Sequence, residues 1–393
     1  MRVTAITAHV IKAGQPYHPV NAERAGIVLP GTDYFRFSPY PQLYSRRTES
    51  VVVKIETDEG LTGWGESQAP LAPEVVAKII EKLVGPVLLG RNPLDSKVLY
   101  SDMIGTSRVR GHATSYQHDA IAGLDMALWD IRGQADGRSL ASHLGGRFRD
   151  TLPSYSSGLR ARTVEERIDE AILRVNSGLG VKPFLSGEWR SAADEMSQLR
   201  AAVGDDALLF ADGLWSFSPS EAARLGRVLE QNNFGFFEAP SAPGDIRTHS
   251  RLSEKLDMPI AIGELLRTRD EFLPWLEAGA LGVCQPDLMR NGVTETIGIA
   301  SLAETFDVPV ALHVGATTVI GMAATWQVAS ALPNFLVQEH QPVMLELFNP
   351  WLAEPLSVRD GHLEVPDGPG LGVSIDEARL LLDVESSVTI TCA

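Results

Sequence analysis

Six short apolar runs decide the fold: LLFAD (208–212), FGFFE (234–238), IAIGE (260–264), VCQPD (283–287), VALH (310–313) and FLVQE (335–339). Their last residues are Asp212, Glu238, Glu264, Asp287, His313 and Glu339, at steps of 26, 26, 23, 26 and 26. Each run is too short, and too rich in β-branched or aromatic residues, for a helix, so each reads as a buried strand. A polar or Gly/Pro break and then an amphipathic stretch of helical length follow. Strand–helix alternation at a near-constant interval indicates repeated βα units on a parallel sheet. Ionisable residues at the C-terminal ends of parallel barrel strands belong to a catalytic face, not to a core.

Working outward, LPSYSSG (152–158) and GLGVKPF (178–184) read as two earlier strands, and the count of eight closes near residue 341. Helices are predicted near 163–176, 191–203, 218–232, 244–255, 268–278, 293–306 and 318–332. The N-terminal part begins with a strand over 2–12, followed by a long polar and aromatic loop over 13–48 that reads as a lid. ESVVVKIETDEGLTGWGES (49–67) is a hairpin turning at Asp58-Glu59-Gly60. Helical patterns follow at 72–90, 94–104 and 117–136, the last ending at Gly137. Residues 342–393 leave the repeat, with a short hairpin near Asp360-Gly361 and a turn-rich DGPGLG (367–372), and are expected to return to the N-terminal domain. The predicted fold is α/β: a (β/α)8 TIM-like barrel over 150–341, under an α+β capping domain formed by 1–137 and the C-terminal segment 342–393.

Composition narrows the function. Among 393 residues, 34 Lys plus Arg stand against 50 Asp plus Glu, a formal net charge of −16. That balance disfavours nucleic acid and anionic membrane as partners. Cys284 and Cys392 are the only cysteines, too few for a disulfide framework or a cysteine zinc site. MRVTAITAHVI at the start alternates like a strand and lacks the continuous apolar core of a signal peptide. No run reaches the length that spans a bilayer. The expectation is a soluble cytoplasmic enzyme acting on a small molecule.

Asp212, Glu238 and Glu264 close consecutive strands and set three carboxylates side by side. Like charges that close repel unless a proton or a cation intervenes. A ligand set of oxygens alone suits Mg²⁺, with Mn²⁺ as a substitute. The competing reading pairs one or two of these acids with barrel lysines or arginines. Asp287 and His313 lie on adjacent strands, so the carboxylate can hold one imidazole nitrogen, set its tautomer and raise its basicity. Lys182 is an apolar-flanked lysine in the barrel lumen. It is either salt-bridged to Asp212 on the next strand or a base facing His313 across a substrate, its pKa lowered by burial and a cation. Glu339 can serve a substrate oxygen or orient Lys182 or His313. In the lid, Tyr34, Arg36 and Tyr44 are candidates for substrate contact. A divalent cation beside a lysine and a His–Asp pair suits removal of a proton from the carbon next to a carboxylate, the metal stabilising the ene-diolate that forms.

At these residues the chain resembles the enolase superfamily, specifically its mandelate racemase subgroup. TDEGLTGWGE (57–66), DMALWDIRGQADG (125–137), FFEAP (236–240), QPDLMRNGV (285–293) and DGPGLGV (367–373) carry the resemblance, which spans nearly the whole chain. It implies Asp212, Glu238 and Glu264 as Mg²⁺ ligands, Asp287–His313 as the catalytic dyad, and Glu339 as the acid that stabilises the intermediate. The lid matches the family's capping domain, whose loops choose the substrate. Two positions depart from the pattern. Where the family commonly carries Lys-x-Lys, this chain has Gly180-Val181-Lys182-Pro183-Phe184, with Lys182 matching the second lysine. A shifted alignment would put Phe184 there instead. Leu214 stands where the family often has Asn.

Three functions compete. Dehydration of an aldonate or aldarate would give a 2-keto-3-deoxy acid, with His313 as imidazolium helping the β-hydroxyl leave. Racemisation or epimerisation would use Lys182 and His313 from opposite faces. A non-catalytic, metal-binding relative is the third. By analogy, barrels of this kind assemble into symmetric homo-oligomers.

Overall fold

The glycines of the LTGWGE stretch show why the N-terminal hairpin sits where it does. In the computed structural model, which describes residues 1–14, 27–36, 42–111 and 114–392, the strands Thr48–Thr57 and Thr62–Ser67 form an antiparallel pair. The helix Tyr116–Asp136 lies directly on that pair. A Cβ on Gly65 would come within 2.0 Å of the Gly123 carbonyl oxygen, and one on Gly63 within 2.2 Å of the Ala127 carbonyl oxygen. Only glycine admits so close an approach. The sheet continues through Val3–Ala13 and ends with Val384–Thr391, so the chain's last strand joins its first, as Ile6 pairing with Ile390 records. Both termini therefore build the cap.

Below the cap the parallel strands form a closed ring. Thr151–Ser157 pairs with Gly180–Lys182 on one side and with Gln338–His340 on the other. Between them stand Ala211–Asp212, Phe237–Glu238, Ile260–Ile262 and Val283–Cys284. Isolated parallel bridges from Val310 to Cys284 and to Phe335 supply the remaining position. The ring is filled by Tyr155, Phe210, Phe236, Ala261, Val283, Ala311 and Val337. Side chains two apart along a strand share a face. Phe210 and Asp212, Phe236 and Glu238, Ala311 and His313, and Val337 and Glu339 therefore point into the same lumen. The first of each pair makes the floor and the second stands above it.

Helix 288–304 begins earlier than expected and breaks at Gly292 (φ 75°, ψ 170°). There Asp125, from the cap helix, accepts hydrogen bonds from Thr294 N (2.8 Å) and Thr294 Oγ1 (2.7 Å), capping the resumed helix. Glu66 does the same for the helix Val319–Ser330, accepting from Thr318 N and Gly321 N at 3.0 Å each. Asp130 ties Trp64 N to Leu371 N. Motif acids of the cap thus serve as helix caps and clamps for the barrel.

Three expectations are adjusted. The 72–90 helix ends at Ile79 and runs on as a π-turn over Ile80–Val84. The hairpin at Asp360-Gly361 pairs with barrel strand Thr151–Ser157, not with the cap. The described part of the 13–48 stretch forms a small antiparallel sheet of Ile27–Val28, Tyr34–Arg36 and Leu43–Ser45; residues 15–26 and 37–41 lie outside the described residues. No helix among the described residues is long and apolar enough to cross a membrane.

Candidate active site

Asp212 and Glu238 are register partners on adjacent strands, and both are buried. Glu264 differs. Glu238 pairs with Ala261, so Glu264 lies beyond its strand's end, after Gly263. A Cβ on Gly263 would lie 2.4 Å from the Gln285 carbonyl carbon, so glycine is required where the chain crosses its neighbour. The Glu264 side chain keeps 25% of its exposure. Burial, and then the charge of Glu238, hold the Asp212 carboxyl well above its usual range. Burial also raises Glu238, against the pull of Lys182.

Lys182 meets this cluster from below. Its Nζ lies 2.5 Å from Glu238 Oε2, 3.0 Å from Glu339 Oε1 and 3.7 Å from Asp212 Oδ2, and 5.4 Å from the centre of the Tyr155 ring. The near partners of Lys182 are Glu238 and Glu339, with Asp212, the partner expected from the sequence, farther off. Burial works to lower its pKa, but Glu238 and Glu339 outweigh burial and hold the ammonium well above its usual value.

His313 Nδ1 lies 2.7 Å from Asp287 Oδ2. Asp287 is fully buried at the N-terminus of helix 288–304, where its other oxygen accepts from Met289 N at 2.9 Å. With Nδ1 held, Nε2 faces the carboxylates, 3.3 Å from Glu264 Oε2 and 4.0 Å from Glu339 Oε2. Burial works against the imidazolium, but Glu339 and the Asp287 hydrogen bond outweigh it and push His313 up to about 9. Glu339 ionises readily: burial opposes it, yet Lys182 and His313 bring its pKa below the usual range. Its Oε2 accepts from Val314 N at 2.8 Å.

All seven barrel residues expected from the sequence converge on one cluster. One atom each from Glu238, Glu264 and His313 lies within 4.8 Å of the others, a grouping that fits a divalent metal ion. Asp212 stands beside that trio rather than in it.

Residues not anticipated also reach the cluster. Gln285 Nε2 donates to Glu238 Oε2 (2.8 Å) and Trp215 Nε1 to Glu264 Oε1 (2.6 Å). Gln285 could have been found by strand alternation from Asp287; Trp215, an apolar residue in a turn, left no signal. Arg290 lies 3.8 Å from Asp287 and donates to Gln68 of the cap, so the cap touches the dyad's far side. The cap candidates sit in the small sheet. The Tyr34 hydroxyl donates to Glu49 Oε2 (3.1 Å) and accepts from Ala72 N (2.9 Å); Tyr44 stacks on Phe35, and Arg36 is exposed. Two surface clefts, one lined by Arg224, Arg227 and Arg251 and the other by Arg174 and Glu346, take in none of the cluster.

Residues 160–379 match a family model described as enolase C-terminal domain-like. Residues 42–145 match the N-terminal domain of the mandelate racemase/muconate lactonizing enzyme family. The chain is 30% identical over 355 residues to a D-galactarolactone cycloisomerase of Agrobacterium fabrum, covering 85% of this chain and 91% of that one. It is 30% identical over 367 residues to an arabinonate dehydratase of Saccharolobus solfataricus, covering 91% and 94%. A crystal structure of an enolase superfamily member from Agrobacterium tumefaciens superimposes with a TM-score of 0.92 at 31% identity, covering 99% of each chain.

Proposed function

The chain belongs to the enolase superfamily, in its mandelate racemase/muconate lactonizing enzyme branch, and from that premise we propose that it is a hydro-lyase that dehydrates an aldonate or aldarate to a 2-keto-3-deoxy acid. The observation that carries the reading is the pairing of His313 with Asp287, which leaves Nε2 facing the carboxylate cluster. The arabinonate dehydratase relative supports the reaction class. Asp212, Glu238 and Glu264 are assigned as ligands of Mg²⁺, for which Mn²⁺ can substitute; their all-oxygen chemistry suits a hard cation. A divalent cation held there would supply positive charge to the substrate carboxylate and would weaken the grip of Glu238 on the Lys182 proton.

In this assignment Lys182 takes the α-proton in its neutral form, since the ammonium paired with Glu238 and Glu339 cannot accept one. His313, charged through its contact with Asp287, gives the Nε2 proton to the departing β-hydroxyl, which leaves as water. Glu339 touches both groups and holds them in register. Selection among acids falls to the cap, where Tyr34, Arg36 and Tyr44 stand in the small sheet.

A second reading has an observation of its own. Glu339 lies 3.0 Å from Lys182 and 4.0 Å from His313, so two proton-handling groups flank one site, as a racemase or epimerase requires. One experiment separates the two. The protein is incubated with Mg²⁺ and a panel of aldonic and aldaric acids, and 2-keto acids are assayed. Dehydration predicts a keto acid from at least one of them. Absence of keto acid from all, with α-deuterium washing in from D₂O, rejects dehydration in favour of epimerisation.

A further inference from the structure

Glu264 is the one member of the proposed ligand set that its strand does not place. It follows the strand's end, it is the most exposed of the three, and a glutamate has several rotatable bonds to order. Something else must hold it, and the chain's unusual backbone supplies that. Leu214 and Trp215, directly after Asp212-Gly213, both have positive φ (48° and 58°). Residues with side chains adopt that region uncommonly, and such outliers gather at functional sites. The turn is secured at every step. Gly213 N donates to Glu238 O (2.8 Å), Leu214 N to Asp212 Oδ1 (2.8 Å), Trp215 N to Ala239 O (2.7 Å) and Ser216 Oγ to Gly213 O (2.6 Å). Its effect is to bring the Trp215 indole N–H to 2.6 Å from Glu264 Oε1.

Behind the indole stands a second, independent feature. His249 is fully buried, with its ring edge-on to Trp215 (5.9 Å between centroids) and to Trp275 (5.2 Å). Its Nδ1 lies 2.8 Å from the Asp245 carbonyl oxygen, so Nδ1 carries the hydrogen. Nε2 is buried with no hydrogen-bond partner among the described residues. A buried polar atom left unpaired is unfavourable, and here the ring acts as a flat spacer between two indoles.

We propose that Trp215 is a positioning residue for Glu264. Its N–H holds Oε1 and leaves Oε2 facing the cluster, and His249 braces the indole against helix 269–277 through Trp275. Indole N–H is a donor only and does not titrate. This rests on reading Glu264 as a ligand of the cation.

The test measures Mn²⁺ binding by calorimetry on chelator-stripped protein: wild type, Glu264→Gln, Trp215→Phe and Trp215→Gln. Glu264→Gln checks the ligand reading. If wild type binds no Mn²⁺, or Glu264→Gln binds it as wild type does, that reading falls and takes the proposal with it. If Glu264→Gln weakens binding, Trp215→Phe is expected to raise the Mn²⁺ Kd by about 10- to 100-fold, as loss of a ligand's outer partner does. Trp215→Gln, which restores an N–H at similar reach, should recover part of the affinity. Wild-type affinity in Trp215→Phe overturns the proposal. Should Trp215→Phe fail to fold, His249→Leu carries the test, because removing the brace should also weaken Mn²⁺ binding; wild-type affinity there is the overturning result.

Discussion

Lys182 and Glu339 touch, Nζ to Oε1 at 3.0 Å, although they stand near opposite ends of the barrel sequence. The contact is a product of ring closure. Thr151–Ser157 pairs with both their strands, so the second and last strands become next-but-one neighbours, and their inward side chains meet above Tyr155. Lys182 thereby holds the charge balance between Glu238 and Glu339.

Removing that lysine should be felt in stability as well as turnover. Lys182→Met leaves Glu238 and Glu339 buried without their cation. Breaking a buried pair by deleting one partner typically costs about 3–5 kcal/mol. Urea unfolding of the chelator-stripped variant should show a loss of this order, and turnover should be abolished. Unchanged stability would mean that the ammonium is not what neutralises the pair.

The dyad makes a separate prediction. His313→Asn should fold normally and lose about 10²- to 10⁴-fold or more in kcat, the range that general acid–base groups supply. Asp287→Asn removes the charge, and weakens the hydrogen bond, that help push His313 up to about 9. The imidazolium then deprotonates at lower pH, so activity that depends on it is lost earlier as pH rises. Profiles of kcat against pH for wild type and Asp287→Asn should show that alkaline limb displaced downward; coincident limbs would remove His313 from the acid role.

Chelation should abolish activity, and Mg²⁺ should restore it. Full turnover after exhaustive EDTA treatment and gel filtration would be incompatible with the ligand assignment of Asp212, Glu238 and Glu264.

His340, next to Glu339, gives a stability signature apart from catalysis. Burial and then the charge of Arg174 lower its pKa from 6.5 to about 4. Between these values the unfolded chain binds a proton that the folded chain refuses, so stability rises with pH. The contribution is present above about pH 6.5 and is lost as pH falls toward 4, by about 3 kcal/mol at full effect. Unfolding free energies measured from pH 4 to 7 should fall more steeply toward acid in wild type than in His340→Gln. Parallel curves would place the acid sensitivity elsewhere.

The sequence by itself determined the barrel, the cap built by both termini, and the seven residues that meet at the strand ends. These were legible because they rest on periodicity. Alternation of two along a strand sets Asp212 above Phe210 and His313 above Ala311 whatever the rest of the chain does. The step of 26 from Glu238 to Glu264 was visible too, but not that it carries Glu264 past Ala261, the register partner of Glu238. Only the tertiary structure decided who holds whom. Lys182 turned from Asp212 to Glu238 and Glu339 because the ring closes. Trp215 reached Glu264 because two residues in a turn adopt positive φ. The acids of the cap motifs became helix caps because glycines let one helix lie flat on a sheet. Each depends on residues far apart in the chain arriving at one place, and local spacing carries no record of that.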